Sequence, residues 1–224
     1  MLKNIKGAIF DMDGTLIDSL MIWNVIWERF GDIFCDGKDF MPSPADDKAV
    51  RTKTLKDAMH FLHSRYSIGK NGDEVFEAAS KIMEDFYSNE VKLKDGVADF
   101  LEHCHNQGIK MCIASATDTS LIKIALEHCK IEKYFESIIS CAKIGKGKDK
   151  PDVYLKALET LGTKTSETCI FEDSHIAIET ADKLGIKTVG IFDKYNYDQD
   201  KIKSIASVYI ADGETLKKLI GDCV

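Results

Sequence analysis

An apolar run that stops abruptly in two acids sets the frame for this chain. Ala8-Ile9-Phe10 leads directly into Asp11-Met12-Asp13, and Gly14-Thr15 then turns the chain away. A short continuous apolar run reads as a buried strand, which places Asp11 at that strand's carboxyl end. In an open α/β sheet, ligands bind just beyond the carboxyl ends of the strands. Two carboxylates one residue apart need a cation or a proton to relieve their repulsion. An Asp-rich turn reads the same way in isolation, so the weight falls on what else converges there.

Between Ser19 and Val91 no convincing strand appears. Leu20, Trp23, Ile26, Trp27 and Phe30 recur at helical spacing and predict a helix over Leu20–Phe30, with further helical regions over Asp47–Tyr66 and Asp73–Tyr87. This predicts a helical cap domain, residues 18–92, inserted between core segments 1–17 and 93–224. Beyond Lys94-Asp95-Gly96 the pattern alternates. Strands are expected at Ile109–Ala114, within Phe135–Ser140, and at Thr168–Phe171, Thr188–Ile191 and Ser207–Ile210. Helices are expected at Val97–Asn106, Asp118–His128, Pro151–Leu161, Ser174–Leu184 and Gly213–Ile220. Such alternation predicts an α/β fold: a Rossmann-like, mainly parallel sheet with helices on both faces, plus the inserted α-helical cap. The polar stretch Asp193–Lys203 reads as a surface excursion.

Charge narrows the partners. Thirty basic against 37 acidic residues leave a net charge of -7, which argues against nucleic acid and leaves a small phosphorylated molecule open. The seven cysteines, Cys35, Cys104, Cys112, Cys129, Cys141, Cys169 and Cys223, include no close CxxC pair. Buried thiols in a reducing compartment explain them better than disulfides. Met1-Leu2-Lys3-Asn4 runs into the first strand without a long apolar segment, so no signal peptide or membrane partner is expected and the chain reads as cytoplasmic. A monomer is expected, with a dimer left open.

Four stretches follow, or closely follow, predicted strands: Asp11-Met12-Asp13, Ser115-Ala116-Thr117, Gly145 to Pro151, and Glu172-Asp173-Ser174. In a parallel sheet they meet along one edge. Asp11, Asp13 and Asp173 supply oxygens of the kind that suit Mg²⁺. Ser115 offers a hydroxyl and a backbone N–H near a helix start, a natural seat for a phosphate oxygen, and a lysine offers positive charge. The set suits phosphoryl transfer, which depends mainly on positioning and charge stabilisation.

With these residues in view, the sequence resembles the haloacid dehalogenase-like hydrolase superfamily, in its phosphatase and β-phosphoglucomutase-like branch with a helical cap. The first motif of that family is matched by Asp11-Met12-Asp13-Gly14-Thr15, extended by Leu16-Ile17-Asp18-Ser19. The second is matched by Ser115 after its apolar strand. The fourth is matched by Phe171-Glu172-Asp173-Ser174 and the Ala- and Ile-containing run Ile176-Ala177-Ile178-Glu179-Thr180-Ala181. The third is a lysine in Lys-Pro-x-Pro-Asp. Aligning Pro151-Asp152 with its last two residues puts Lys148 at the catalytic position, with Asp149 in place of the first proline. Lys150, and behind it Lys143 and Lys146, are the alternatives.

The resemblance implies that Asp11 attacks phosphorus to form an aspartyl-phosphate, and that Asp13 protonates the leaving oxygen and then activates water. It implies Mg²⁺ on the Asp11 carboxylate, the Asp13 backbone carbonyl and the Asp173 carboxylate. Glu172 would bind the metal through water or orient Lys148, with direct metal ligation and plain surface placement as the alternatives, and Ser174 would support the metal acids or cap the next helix. Gly14, Thr15 and Ala116 are expected near the phosphate. Ser19 is read as a helix N-cap or a residue at the cap hinge. In the cap, Trp23 is either core packing or a pocket wall, and Arg51 either solvated surface or a contact for a substrate's distal acid. His60, His63 and His175 are read mainly as surface or packing residues.

The expected function is Mg²⁺-dependent phosphomonoester hydrolysis of a small phosphorylated metabolite. A β-phosphoglucomutase-like mutase is the alternative. It is disfavoured because that branch typically carries a His five residues beyond the acid matched by Asp18, where this chain has Trp23. A non-catalytic phosphometabolite-binding domain is the third reading, and the intact chemical groups speak against it.

Overall fold

The computed structural model describes residues 4–51 and 53–220; the expectations placed on Met1, Leu2, Lys3 and Cys223 lie outside the described residues. The chain divides into two compact units, one of Met21–Glu90 and the other from the segment up to Leu20 joined to the segment from Val91 onward.

Among the described residues, the smaller unit holds four helices, α1 (Ile22–Phe34), α2 (Pro44–Val50), α3 (Leu55–Tyr66) and α4 (Gly72–Asn89). The single helical region expected over Asp47–Tyr66 is two helices, because capping overrides apolar spacing. The Ser43 side chain accepts from the Asp46 N–H with Pro44 in the first turn, and Thr54 accepts from the Asp57 N–H to start α3. Helix α1 runs past Phe30, where the apolar spacing predicts its end, and through Gly31. A Cβ at Gly31 would lie 2.5 Å from the Lys38 carbonyl oxygen, so this glycine admits a close backbone approach instead of stopping the helix. Trp27 and Phe30 are fully buried and meet Phe40 at ring distances of 6.1 and 6.0 Å.

The larger unit is built on six parallel strands, β1 (Gly7–Phe10), β2 (Lys110–Ser115), β3 (Ser137–Ser140), β4 (Thr168–Glu172), β5 (Lys187–Ile191) and β6 (Val208–Ile210), in the order β3-β2-β1-β4-β5-β6. The linking helices are α5 (Val97–Asn106), α6 (Thr119–His128), α7 (Cys141–Ile144), α8 (Asp152–Leu161), α9 (His175–Lys183) and α10 (Gln199–Ile205). They cover both faces of the sheet, so β1 is buried on both sides and reads as continuous hydrophobicity. Alternation divides its residues. Ile9 packs with Cys112, Ala114 and Ile170 against Val153, Tyr154 and Ala157 of α8 and Ala177 of α9. Phe10 takes the other face, stacked on Phe171 at 4.4 Å and edge-on to Phe100 of α5 at 6.3 Å.

Two expectations change here. The last helix, placed over Gly213–Ile220, is a short 3₁₀ turn at Leu216–Leu219 started by the Thr215 hydroxyl. The excursion at Asp193–Lys203 ends in α10, but it begins with Asp193 only 3% exposed. Among the described residues the cysteines are all thiols, four of them buried, and no helix is long and apolar enough to cross a membrane.

Candidate active site

Strand register brings the acids together. Phe10 pairs with Phe171, and the Asp11 N–H donates to the Phe171 carbonyl at 3.0 Å, so Asp11 lies beside the end of β4, where Glu172 and Asp173 follow. Oxygens of the Asp11, Glu172 and Asp173 carboxylates lie within 4.8 Å of one another, and all three residues are buried. Glu172 therefore belongs to the acid cluster itself. It also bonds Lys148 through Oε1, and its Oε2 accepts from the Ser174 N–H at 3.3 Å. Ser174 occupies the N-cap position of α9 without a side-chain cap bond.

Lys148 answers the cluster. Its Nζ lies 2.6 Å from Asp11 Oδ1, and its side chain is 12% exposed. Lys150, two residues on, is 61% exposed and pairs with Asp149 at 3.3 Å. Burial works against the Lys148 ammonium, but the Asp11 and Glu172 carboxylates outweigh it and hold its pKa well above the ordinary lysine value. Burial pushes Glu172 up, opposed by Lys148 and reinforced by Asp11. Asp173 is raised as well: burial, then Asp11, then Glu172 all disfavour its charged form. One ammonium against three buried carboxylates leaves uncompensated negative charge. An all-oxygen donor set of this kind fits a hard divalent cation such as Mg²⁺.

Asp13 is held apart from that cluster. Its Oδ1 accepts from the Ser19 hydroxyl at 2.6 Å and its Oδ2 from the Thr117 hydroxyl at 2.8 Å. Ser19 is fully buried and is not a helix cap; Met21 occupies the N-cap of α1. Ser115 ends β2, 1% exposed, and its Oγ accepts from the Thr117 N–H at 3.1 Å, with exposed Ala116 between them. Ser140 at the end of β3 donates to the Thr117 carbonyl at 3.0 Å. Gly14 adopts φ +76°, and a Cβ there would run into the Asp173 carboxylate and lie 2.9 Å from Leu20 Cδ1. A side chain is therefore doubly excluded at that position. Thr15 is buried, its hydroxyl 3.4 Å from Asp173 Oδ1.

Two residues to which the sequence assigns no role contact these acids: Thr117, inside the Ser115-Ala116-Thr117 stretch, on Asp13, and Asn196, in the stretch read as a surface excursion, whose amide reaches Asp173 Oδ2 at 2.7 Å. Trp23 and Arg51 lie in the smaller unit. Arg51 makes two bonds to Asp47, at 2.9 and 3.1 Å, and its guanidinium sits 5.7 Å from the Trp23 ring centre, so its charge already has a partner. His60 bonds Asp73 at 2.9 Å, His63 bonds the Ile68 carbonyl oxygen at 2.9 Å, and His175 lies 3.6 Å from Asp198.

The repulsion around Asp173 has a measurable consequence. Asp173→Asn removes one of three like charges while keeping the shape and an acceptor for Asn196. In metal-free buffer it is expected to stabilise the protein by about 1–2 kcal/mol, read as a rise in Tm of roughly 2–4 °C for each kcal/mol. An unchanged or lowered Tm would show that the site carries no such strain.

Comparison with known proteins identifies the family. The family model described as haloacid dehalogenase-like hydrolase matches residues 8–191. A phosphorylated carbohydrates phosphatase of Thermotoga maritima is 25% identical over 221 residues, covering 96% of this chain and 98% of its own. Protein CbbY of Rhodobacter capsulatus is 29% identical over 206 residues, 88% of this chain and 89% of its own. A solved structure of a candidate β-phosphoglucomutase from Thermotoga maritima has a TM-score of 0.82 at 23% identity, covering 96% of this chain and 98% of that one, a likeness of fold. The chain belongs to the haloacid dehalogenase-like hydrolase family.

Proposed function

We propose that the chain is a Mg²⁺-dependent phosphomonoesterase that hydrolyses a small phosphorylated metabolite through an aspartyl-phosphate on Asp11. The observation that carries this reading is the ammonium of Lys148 at 2.6 Å from Asp11 Oδ1, within a buried cluster completed by Glu172 and Asp173. Relatives named as a phosphorylated carbohydrates phosphatase and, in Pseudomonas fluorescens, a phosphoglycolate phosphatase support it.

In this reading an Asp11 carboxylate oxygen attacks phosphorus, the bond from phosphorus to the leaving oxygen breaks, and Asp13 gives that oxygen its proton. The Ser19 and Thr117 hydroxyls hold the Asp13 carboxyl in place for the transfer. Water then attacks phosphorus and gives a proton to Asp13, and the bond from phosphorus to Asp11 breaks. Lys148 and the Ser115 hydroxyl, with the backbone beside Ala116, Gly14 and Thr15, receive the phosphoryl oxygens. The Asp11 and Asp173 carboxylates and the Asp13 main chain would hold Mg²⁺, with Glu172 a further candidate ligand. When bound, the ion supplies positive charge that offsets repulsion between Asp11 and the phosphoryl group.

The test is phosphate release from a panel of hexose, pentose and polyol phosphates, phosphoglycolate and nucleotides. Release is expected with Mg²⁺, lost with EDTA and restored by excess Mg²⁺. Release that persists in EDTA would refute the metal dependence. Isomerisation of a sugar phosphate without net release would replace hydrolysis with the mutase reading.

A further inference from the structure

We propose that Asn196 is a positioning residue that sets the Asp173 carboxylate for divalent-cation binding, an inference that rests on the metal reading given above. The Asn196 side-chain amide donates twice to the same residue, to the Asp173 main-chain oxygen at 2.6 Å and to Asp173 Oδ2 at 2.7 Å. One NH₂ group spanning the backbone and the carboxylate of a single residue fixes that side chain's rotamer, and a charge-assisted bond of this type favours the ionised carboxylate. Asp173 is the residue that needs such a restraint. It is 3% exposed and shares its surroundings with the Asp11 and Glu172 carboxylates. Its other side-chain contact, the Thr15 hydroxyl, stands at 3.4 Å and holds it more weakly.

Asn196 is itself fixed from several directions. Its N–H donates to the Asp193 carbonyl at 3.1 Å, and the Tyr195 N–H donates to Asp193 Oδ1 at 2.8 Å. The Gln199 amide donates to the Asp193 carbonyl at 3.0 Å and is in turn bonded by the Tyr209 hydroxyl at 2.9 Å. Lys94 closes the arrangement. Its Nζ lies 2.7 Å from Asp193 Oδ2 and donates to the Phe192 carbonyl at 2.9 Å, with the Asp193 side chain only 2% exposed. A buried ion pair of this kind adds little net stability but specifies geometry. What it specifies here is a turn after β5 whose inward-facing group is the Asn196 amide. The excursion beyond Asp193 is thus a mount for the acid cluster.

The test is direct binding of Mn²⁺, as a spectroscopic stand-in for Mg²⁺, to the full chain without substrate, with free Mn²⁺ counted by electron paramagnetic resonance. Asn196→Ala is expected to weaken binding about 10–100-fold, with native circular dichroism retained. Asn196→Leu keeps the side chain's bulk without its donor and decides the matter should the alanine variant fail to fold. In an Asp173→Asn background, adding Asn196→Ala is expected to change Mn²⁺ affinity by less than about twofold, because both substitutions act through one ligand. A folded Asn196 variant with wild-type Mn²⁺ affinity, or losses that simply add in the double variant, would overturn the positioning role and leave the metal reading standing. Failure of the wild-type chain to bind Mn²⁺ would overturn both.

Discussion

Lys148→Met is expected to be the most damaging single substitution for activity and stability together. The methionine fills most of the volume but leaves Asp11 and Glu172 buried without their cation, beside a third carboxylate. Removing one partner of a buried pair costs about 3–5 kcal/mol, to be read as a lower urea midpoint in metal-free buffer. Added Mg²⁺ is expected to recover part of that loss, since it supplies charge to the same acids. Phosphate release is expected to fall by about 10²–10³-fold, the cost of losing one preorganised donor of charge stabilisation. Lys150→Met is the control. Its ammonium is exposed and pairs with half-exposed Asp149, so a change within about 0.5 kcal/mol and near-normal turnover are expected. Equal losses in the two variants would remove the distinction between these lysines.

Asp11→Asn carries the largest expected effect on rate alone. The amide keeps the shape and an oxygen facing Lys148, but it is neutral and cannot form a stable acyl-phosphate in the same way. Loss of a covalent nucleophile is expected to lower phosphate release by at least about 10⁴-fold. Mass spectrometry of the intact protein, quenched in acid during turnover, is expected to detect a phosphorylated wild-type chain and none for the variant. A residual rate within about tenfold of wild type would rule out the covalent role.

Where the sequence was informative, the information was local. Asp11-Met12-Asp13-Gly14 and Glu172-Asp173 announce themselves because an apolar run ends in acids, and because parallel pairing puts strand ends on one edge. The choice between Lys148 and Lys150 was harder. In a loop with neither helical nor strand periodicity, two lysines separated by Asp149 have no face assigned to them in advance; burial of one and exposure of the other is a tertiary result. The role of Thr117, though it lies in a stretch expected at the site, and the presence of Asn196 there were illegible for a related reason. A polar residue after a strand is ordinary turn chemistry, and their partners, Asp13 and Asp173, lie 104 and 23 residues away in the chain. The helix limits failed where a single side chain decided them. Thr54 breaks an apolar pattern that otherwise runs through, and Gly31 admits the backbone near Lys38 where a glycine is usually read as a stop.

The central place of β1 bears on how the protein is made. During synthesis β1 has no sheet neighbour until β2 and then β4 are made, beginning at Lys110 and Thr168. Asp11 therefore emerges long before Lys148, Glu172 or Asp173, and a chain that stops before Glu172 and Asp173 holds no assembled acid cluster. Pairings of such long sequence separation form late, after the entropy of closing large loops has been overcome. Nascent and truncated chains are thereby expected to be inert as catalysts, and the like-charge crowding of the finished site is met only once most of the sheet is available to bear it.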